Sequence, residues 1–505
     1  MSPILLFTVV VSYFVLLLAV AWLTGRNSNN DSFFIGNKNS NWMLVAFGMI
    51  GTSLSGVTFV SVPGGVGTNG FLYFQIVIGY LIGYMVIAFV LLPVYYRMNL
   101  TSIYTYLEKR FGVNAHKAGA FFFILSRLVG ATARLYLVIS ILQIFIFDKL
   151  NIPFELTAIV ILALILLYTF EGGVKTIIYT DTLQTAGMLT GLIVCILFIV
   201  KSMGLDMSGV LHQMQEKDYT RIFNMDVMSG TFCLKQIIGG AFIAIAMTGL
   251  DQEMMQKNIS VKNLRDSQKN MISFSIILVV VNFLFLFLGG VLHLYAASKN
   301  LTVAPDDLFP TIALSDTFSG AIGVIFILAL ISALFPSVDG AITSITSSYC
   351  IDILNLKEKD ISESAKRKTR LKVHFSFAVA FFIMVLIFKA INDKLIIDFI
   401  LKFASITYGP LLGLFSFGIL TDRVLNDKRI WPVCITALFV ILSLDVLCSP
   451  EWYEKKLHMS LGLKNLSENI FGGYKIGNEL ILINGLFTFA GLYLISKKGE
   501  KQVIL

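Results

Sequence analysis

The stretch Ile331–Asp352, ISALFPSVDGAITSITSSYCID, continues without interruption from SGAIGVIFILAL at Ser319–Leu330. Together the two make one apolar run of membrane-spanning length. Its second half nevertheless carries a carboxylate (Asp339), a proline (Pro336), a glycine (Gly340) and a crowd of hydroxyls. An ionisable side chain inside a span is costly and points to function. Proline and glycine there free backbone carbonyls that must find other partners. A desolvated cation is one such partner, and this run predicts a helix broken near Pro336.

The rest of the chain fits that reading. Of its 505 residues 56% are hydrophobic and 14% charged, with mean hydropathy +0.80. A soluble domain carries roughly a quarter charged residues. The apolar residues fall in continuous blocks of about 20, enough to cross about 30 Å of hydrocarbon as a helix. Alternating β-barrel strands are excluded by that continuity. The class is therefore an all-α polytopic membrane protein. About thirteen spans are expected, near 3–24, 42–67, 71–96, 117–147, 153–170, 176–200, 233–250, 271–296, 319–350, 372–390, 395–420, 430–448 and 479–496.

The net charge of +8 does not indicate nucleic acid, because Lys and Arg cluster in short connections. Arg97, Lys109, Arg110 and Lys117 share one; Lys257, Lys262, Arg265 and Lys269 share another; Lys366, Arg367, Lys368, Arg370 and Lys372 crowd a third. All three fall on one face, which the positive-inside rule makes cytoplasmic. The N-terminus is then outside and the C-terminus inside a cell (plasma or inner) membrane. Five cysteines without a CxxC pair and five histidines without HxxxH spacing indicate neither a disulfide framework nor a zinc site. EGGVKT at Glu171–Thr176 lacks a Walker pattern. No organic cofactor and no enzyme activity are expected. No appended soluble module is expected either, which favours transport over sensing.

A second broken span is predicted in WMLVAFGMIGTSLSGVTFVSVPGGVGTNG, Trp42–Gly70, whose middle GTSLSG is a poor helix core. Discontinuous spans in two halves of a chain are the sequence pointer to a transporter's central site. GTSLSGVTFVSVPGG, EGGVKTIIYTDTLQT, GLDQEMMQKN and the segment ending SSYCIDI, taken in that order, resemble the sodium:solute symporter family. That family includes the sodium–glucose, proline, pantothenate and sialic acid carriers.

The resemblance implies a LeuT-like core of two inverted five-helix repeats, at 42–200 and 233–420. An extra helix at 1–24 precedes it and further helices at 430–496 follow. It implies alternating access, Na+ as coupling ion and a small solute, in a chain expected to work as a monomer. It places the shared sodium site on Gly51 and Leu54 of the first core helix and on Ala333, Pro336 and Ser337 of the eighth. Position 336 departs from the family, where a hydroxyl residue is usual. Sodium takes about five or six oxygens, by analogy with other hard cations, so the loss weakens the site unless another group substitutes. A second ion site, as some members carry, then falls on Asp181, Asp339 and Gly340. Substrate contacts fall on Ser55 and Thr58. A glucose-like pocket is disfavoured because the sugar carriers have an acid–amide pair where Val57 and Thr58 stand.

Plainer readings accompany these. Asp181 in TDTLQ suits a helix cap, and Ser337 suits a hydroxyl bonded to its own helix. Arg127 and Arg134, seven apart on one helix face, suit counter-charges for Asp181 or Asp339. The sharper reading gives Arg134 a bidentate grip on a substrate carboxylate, which points to an acidic solute such as a sialic or sugar acid. Lys402, four residues after Asp398, suits an i,i+4 pair. Proton coupling in the same fold, and a membrane receptor or scaffold that moves nothing, are the alternatives.

Overall fold

The computed structural model describes residues 3–25, 30–315, 320–356, 358–391, 396–457 and 462–499. Among them, eight helices are long and apolar enough to cross a bilayer. Three further crossings are bent pairs: Trp42–Ser53 with Gly56–Asn69, Cys233–Gly249 with Gln252–Ile259, and Phe399–Thr407 with Gly409–Leu420. Two shorter apolar helices cover Phe154–Phe170 and Leu480–Ile495. Every expected span falls on one of these. The expected first residues of spans nine and eleven, at 319 and 395, lie outside the described residues.

The second span breaks where its sequence predicts. Trp42–Ser53 ends at Leu54, and Ser55 is extended (φ −85°, ψ 173°) before Gly56–Asn69 begins. The two halves are bent by 57°. The ninth span corrects the expectation: Gly320–Ser348 runs as one helix through Pro336. A proline removes one amide and crowds the carbonyl four residues back. Here that is Ser332, and the long helix tolerates the loss without breaking. The second discontinuous crossing is instead the seventh span, interrupted at Leu250–Asp251.

The chain divides into two compact units. One comprises Met1–Phe74, Arg127–Ile222 and Gln252–Ile400; the other comprises Gln75–Ser126, Phe223–Asp251 and Leu401–Leu505. Every site residue predicted from the sequence belongs to the first. Its spine is the ninth-span helix against the helix through Gly173–Ser202. Small residues let them approach closely: a Cβ on Gly187 would lie 2.7 Å from Ser332 Oγ, and one on Gly191 would overlap Ala329. The pairs 187/332 and 191/329 set an antiparallel register. Continued, it places Gln184 opposite Pro336 and Asp181 opposite Asp339. The extra helix Pro3–Gly25 packs on both partners, with Tyr13 Oη 2.7 Å from Ser332 Oγ and Phe14 edge-on to Phe335 at 4.8 Å. Beyond the break of span two, Phe59 meets Phe285, Phe309 and Phe326 at 5.7, 5.2 and 6.0 Å. Such aromatic pairs add about 0.5–1.5 kcal/mol each beyond area burial. This cluster anchors the second half of the broken span, Gly56–Asn69, to the rest of the unit.

Candidate functional site: the break of span two against the ninth-span helix

The break meets the ninth-span helix directly. A Cβ on Gly51 would overlap Thr185 Oγ1 and lie 3.4 Å from Pro336 Cγ; one on Gly56 would lie 3.9 Å from Leu334 Cα. Gly51 is therefore a close-approach position between three helices, and its amide donates to Thr185 Oγ1 at 3.0 Å. Leu54 still donates to Ile50 O at 2.8 Å, and there the helical ladder stops. A helix end leaves its last carbonyls without intrahelical amides. Among the described residues no backbone or side-chain donor reaches the carbonyls of Gly51, Thr52, Ser53 or Leu54. Across from them Ala333, Pro336 and Ser337 are all fully buried. Ser337 Oγ donates to Leu334 O at 2.8 Å, within its own helix, and its lone pairs remain as acceptors.

One turn further along, the structure assembles five charged side chains, all buried. Asp181 Oδ2 accepts from Lys257 Nζ at 2.6 Å and from Thr52 Oγ1 at 3.1 Å, while Asp181 Oδ1 has no hydrogen-bond partner. Lys257 Nζ also donates to Thr52 Oγ1 at 2.6 Å. Glu253, four residues before Lys257, accepts from Arg127 Nε at 2.6 Å and from its Nη2. Gly340 packs on Glu253, whose Oε1 a Cβ there would overlap. Asp339 Oδ2 accepts from Tyr168 Oη at 2.8 Å, and Oδ1 from the Gly340 amide at 2.5 Å. Among the described residues no Lys or Arg lies within ion-pair distance of Asp339.

Sequence reasoning missed the inner role of Lys257. It was counted with the loop cations, yet it is 3% exposed. Because the seventh span breaks and resumes as Gln252–Ile259, GLDQEMMQKN runs inside the protein. Arg370 is likewise buried, its guanidinium 4.1 Å over the Phe33 ring. Arg127, expected to balance Asp181 or Asp339, is held by Glu253. Gln184 was also missed: it is fully buried, and neither amide atom has a hydrogen-bond partner. Its position three residues after Asp181, on the same helix face, was the available signal. Ser55 and Thr58 are buried at the start of Gly56–Asn69, and Arg134 is half-buried on the helix Val113–Leu142. Lys402 lies 3.0 Å from Asp445 and over the Trp452 ring at 4.0 Å. The Asp398 side chain lies outside the described residues.

A many-helix membrane chain whose first core helix opens its carbonyls toward a buried polar stretch belongs to the class of secondary transporters. The comparisons agree and narrow the class. The model of the sodium:solute symporter family matches residues 33–432, and the chain belongs to that family. It is 23% identical over 414 residues to the sodium/sialic acid symporter NanT of Aliivibrio fischeri, covering 79% of each chain. It is 24% identical over 478 residues to rabbit (Oryctolagus cuniculus) sodium/glucose cotransporter 1, covering 86% of this chain and 71% of that one. A substrate-bound, outward-open Na+-coupled sialic acid symporter superposes with a TM-score of 0.80 at 18% identity, over 98% of this chain and 99% of that one. Mhp1, a nucleobase-cation-symport-1 family transporter in a closed conformation with bromovinylhydantoin bound, superposes with a TM-score of 0.52 at 14% identity, over 91% of this chain and 98% of that one. The fold is the LeuT-like one, the family is one of transporters rather than enzymes, and its activity is Na+-coupled symport by alternating access.

Proposed function

We propose that this chain imports a small acidic solute, of the sialic or sugar acid kind, together with Na+. The carbonyls of Gly51 and Leu54, that of Ala333 and the hydroxyl of Ser337 form the first ion site. Pro336 contributes no hydroxyl there, and Gln184, opposite it, supplies an amide oxygen instead. Asp181 and Asp339, beside Gly340, flank a second cation position. Ser55 and Thr58 follow the break immediately, so the segment that gives carbonyls to the ion gives hydroxyls to the solute. Ion binding that orders this segment favours solute binding, and the coupling is reciprocal. Arg134 pairs with the solute's carboxylate. The observation that carries the reading is the open-carbonyl break of span two in contact with Pro336, one turn from a carboxylate held by neutral donors.

A tenfold Na+ gradient supplies about 1.4 kcal/mol per ion, and the membrane potential adds about 2.3 kcal/mol per net charge moved at 100 mV. The loop cations support a cytoplasmic C-terminus, and the reading needs only a monomer. The two inverted repeats that the family resemblance implies, at 42–200 and 233–420, are the halves that rock around the site.

The test is uptake into proteoliposomes of labelled sialic acid, sugar acids and neutral sugars, driven by an inward Na+ or K+ gradient at fixed pH. Na+-driven accumulation of an acid is expected. Asp339→Asn is expected to lower it by more than tenfold. Uptake that ignores Na+ and rises with external acidity overturns the sodium reading in favour of the proton-coupled one.

A further inference from the structure

The five buried charges do not balance. Asp181, Glu253 and Asp339 face Arg127 and Lys257, and the pairing is uneven. Arg127 is committed to Glu253, and Lys257 lies 2.6 Å from Asp181 but 3.9 Å from Glu253. Asp339 is left with a phenol and an amide. Leaving a buried carboxylate without a cation is expensive, so the arrangement is short of one positive charge, at Asp339.

The geometry points to Lys257 as a tethered cation. Its ammonium sits between Asp181 Oδ2 and Thr52 Oγ1, 2.6 Å from each. Thr52 lies inside the last turn before the break, so these are the oxygens of the break helix and of the TDTLQT helix that a free alkali ion would take. An ammonium and a sodium ion cannot share that space. Lys257 reaches it from a short helix, Gln252–Ile259, and is 3% exposed. Its side chain is held at the far end by two oxygens and at the root by the backbone. Asp181 therefore carries its own permanent counter-ion: the ammonium fills the second cation position, and one mobile cation is left for the break carbonyls and Asp339. The chain couples one Na+ to each solute, although its sequence displays two carboxylates at the second ion position. With a monoanionic solute such a cycle moves no net charge.

This inference rests on the sodium reading above, and the experiment separates the two. Binding of radiolabelled Na+ to the purified full chain in nanodiscs is measured to saturation. The wild-type protein is expected to hold one Na+ per chain. Lys257→Gln removes the tethered charge, frees Asp181 and is expected to raise the count to two, whereas Lys257→Arg keeps it at one. Asp181→Asn in the Lys257→Gln background is expected to restore one. Two Na+ on the wild-type protein, or a folded Lys257→Gln variant that still binds one, overturns the inference. Should Lys257→Gln fail to fold, the wild-type count decides alone. A wild-type protein that binds no Na+ sinks the sodium reading instead. The tethered cation then stands if Lys257→Gln gains an ion and falls if it does not.

Discussion

Spans two and seven are both interrupted, yet their backbone groups meet opposite fates. At Leu250–Asp251 the protein supplies its own donors. Tyr95 Oη donates to Gly249 O at 2.7 Å, Tyr104 Oη to Leu250 O at 3.0 Å, and Tyr408 Oη to the Asp251 carboxylate at 2.6 Å. Three phenols from separate segments close that interruption. At Leu54–Ser55 nothing comparable exists among the described residues, and the carbonyls of Gly51 to Leu54 remain open. A buried carbonyl without a donor costs about 1–3 kcal/mol. One break is satisfied with tyrosines and the other is left open, which is why the proposed function puts the ion at the second. The lesson is that discontinuity alone does not mark an ion site; the missing donors do.

The strongest way to break this contrast is Gly51→Ala. The added methyl would overlap Thr185 Oγ1, which already holds the Gly51 amide. Either Thr185 rotates away and releases the amide, or the break helix moves off the Pro336 helix. Both outcomes displace the open carbonyls from the oxygens opposite. The Na+ concentration for half-maximal uptake is expected to rise on the order of tenfold, about 1.4 kcal/mol, with a smaller loss of thermal stability. An unchanged Na+ dependence in a folded variant would remove these carbonyls from the ion site.

Tyr408→Phe addresses the other break. Asp251 is fully buried, and the variant takes away one of its donors. Hydrogen bonds to charged groups contribute about 1.5–3 kcal/mol, so a clear fall in melting temperature in detergent is expected. The Na+ half-saturation of the surviving protein should stay within about twofold, because this break holds no ion. A large change in Na+ affinity with little loss of stability would show that the two breaks are less different in role than their donors suggest.

The contrast also shows what the sequence can carry. The glycines and hydroxyls of GTSLSG, weak helix formers in an apolar run, announced the first break and placed Gly51, Leu54 and Ser55 at it. Pro336 misled for a local reason. One proline costs a helix one hydrogen bond, and the 29-residue helix Gly320–Ser348 is packed along its length and keeps its course. The seventh-span break was hidden because Leu250 and Asp251 carry no Gly-Pro signal after Gly249, and the tyrosines that stabilise it lie about 150 residues away in sequence. Lys257 was misplaced by the same blindness. A lysine near a span end reads as a loop cation until the structure shows the chain turning back inside. Charge pairing across helices, Arg127 with Glu253 rather than with either aspartate, is tertiary information that no spacing encodes. The contrast with Lys402 is instructive. That lysine is 18% exposed at its side chain, and in its pair with Asp445 one carboxylate matches one ammonium. Asp339, by contrast, is fully buried and held by neutral donors.

The smallest expected effect isolates a single closing donor. Tyr95 is 1% exposed and its ring lies edge-on to Phe415 at 6.5 Å. Tyr95→Phe keeps that packing and deletes only the hydroxyl on Gly249 O. Gly249 ends a π-helical turn, Ile245–Gly249, and a helix end leaves its last carbonyls without intrahelical amides. The net worth of one neutral hydrogen bond is about 0.5–1.5 kcal/mol, so a loss of about 1 kcal/mol in stability is expected, read as a small shift in melting temperature. Na+ binding and uptake should not change. The informative outcome is the opposite one. If Tyr95→Phe makes stability depend more steeply on Na+ than the wild-type protein's does, a carbonyl freed at the seventh span has begun to recruit a further ion. That would show that the phenol, and not the shape of the break, decides which interruption stays dry of cations.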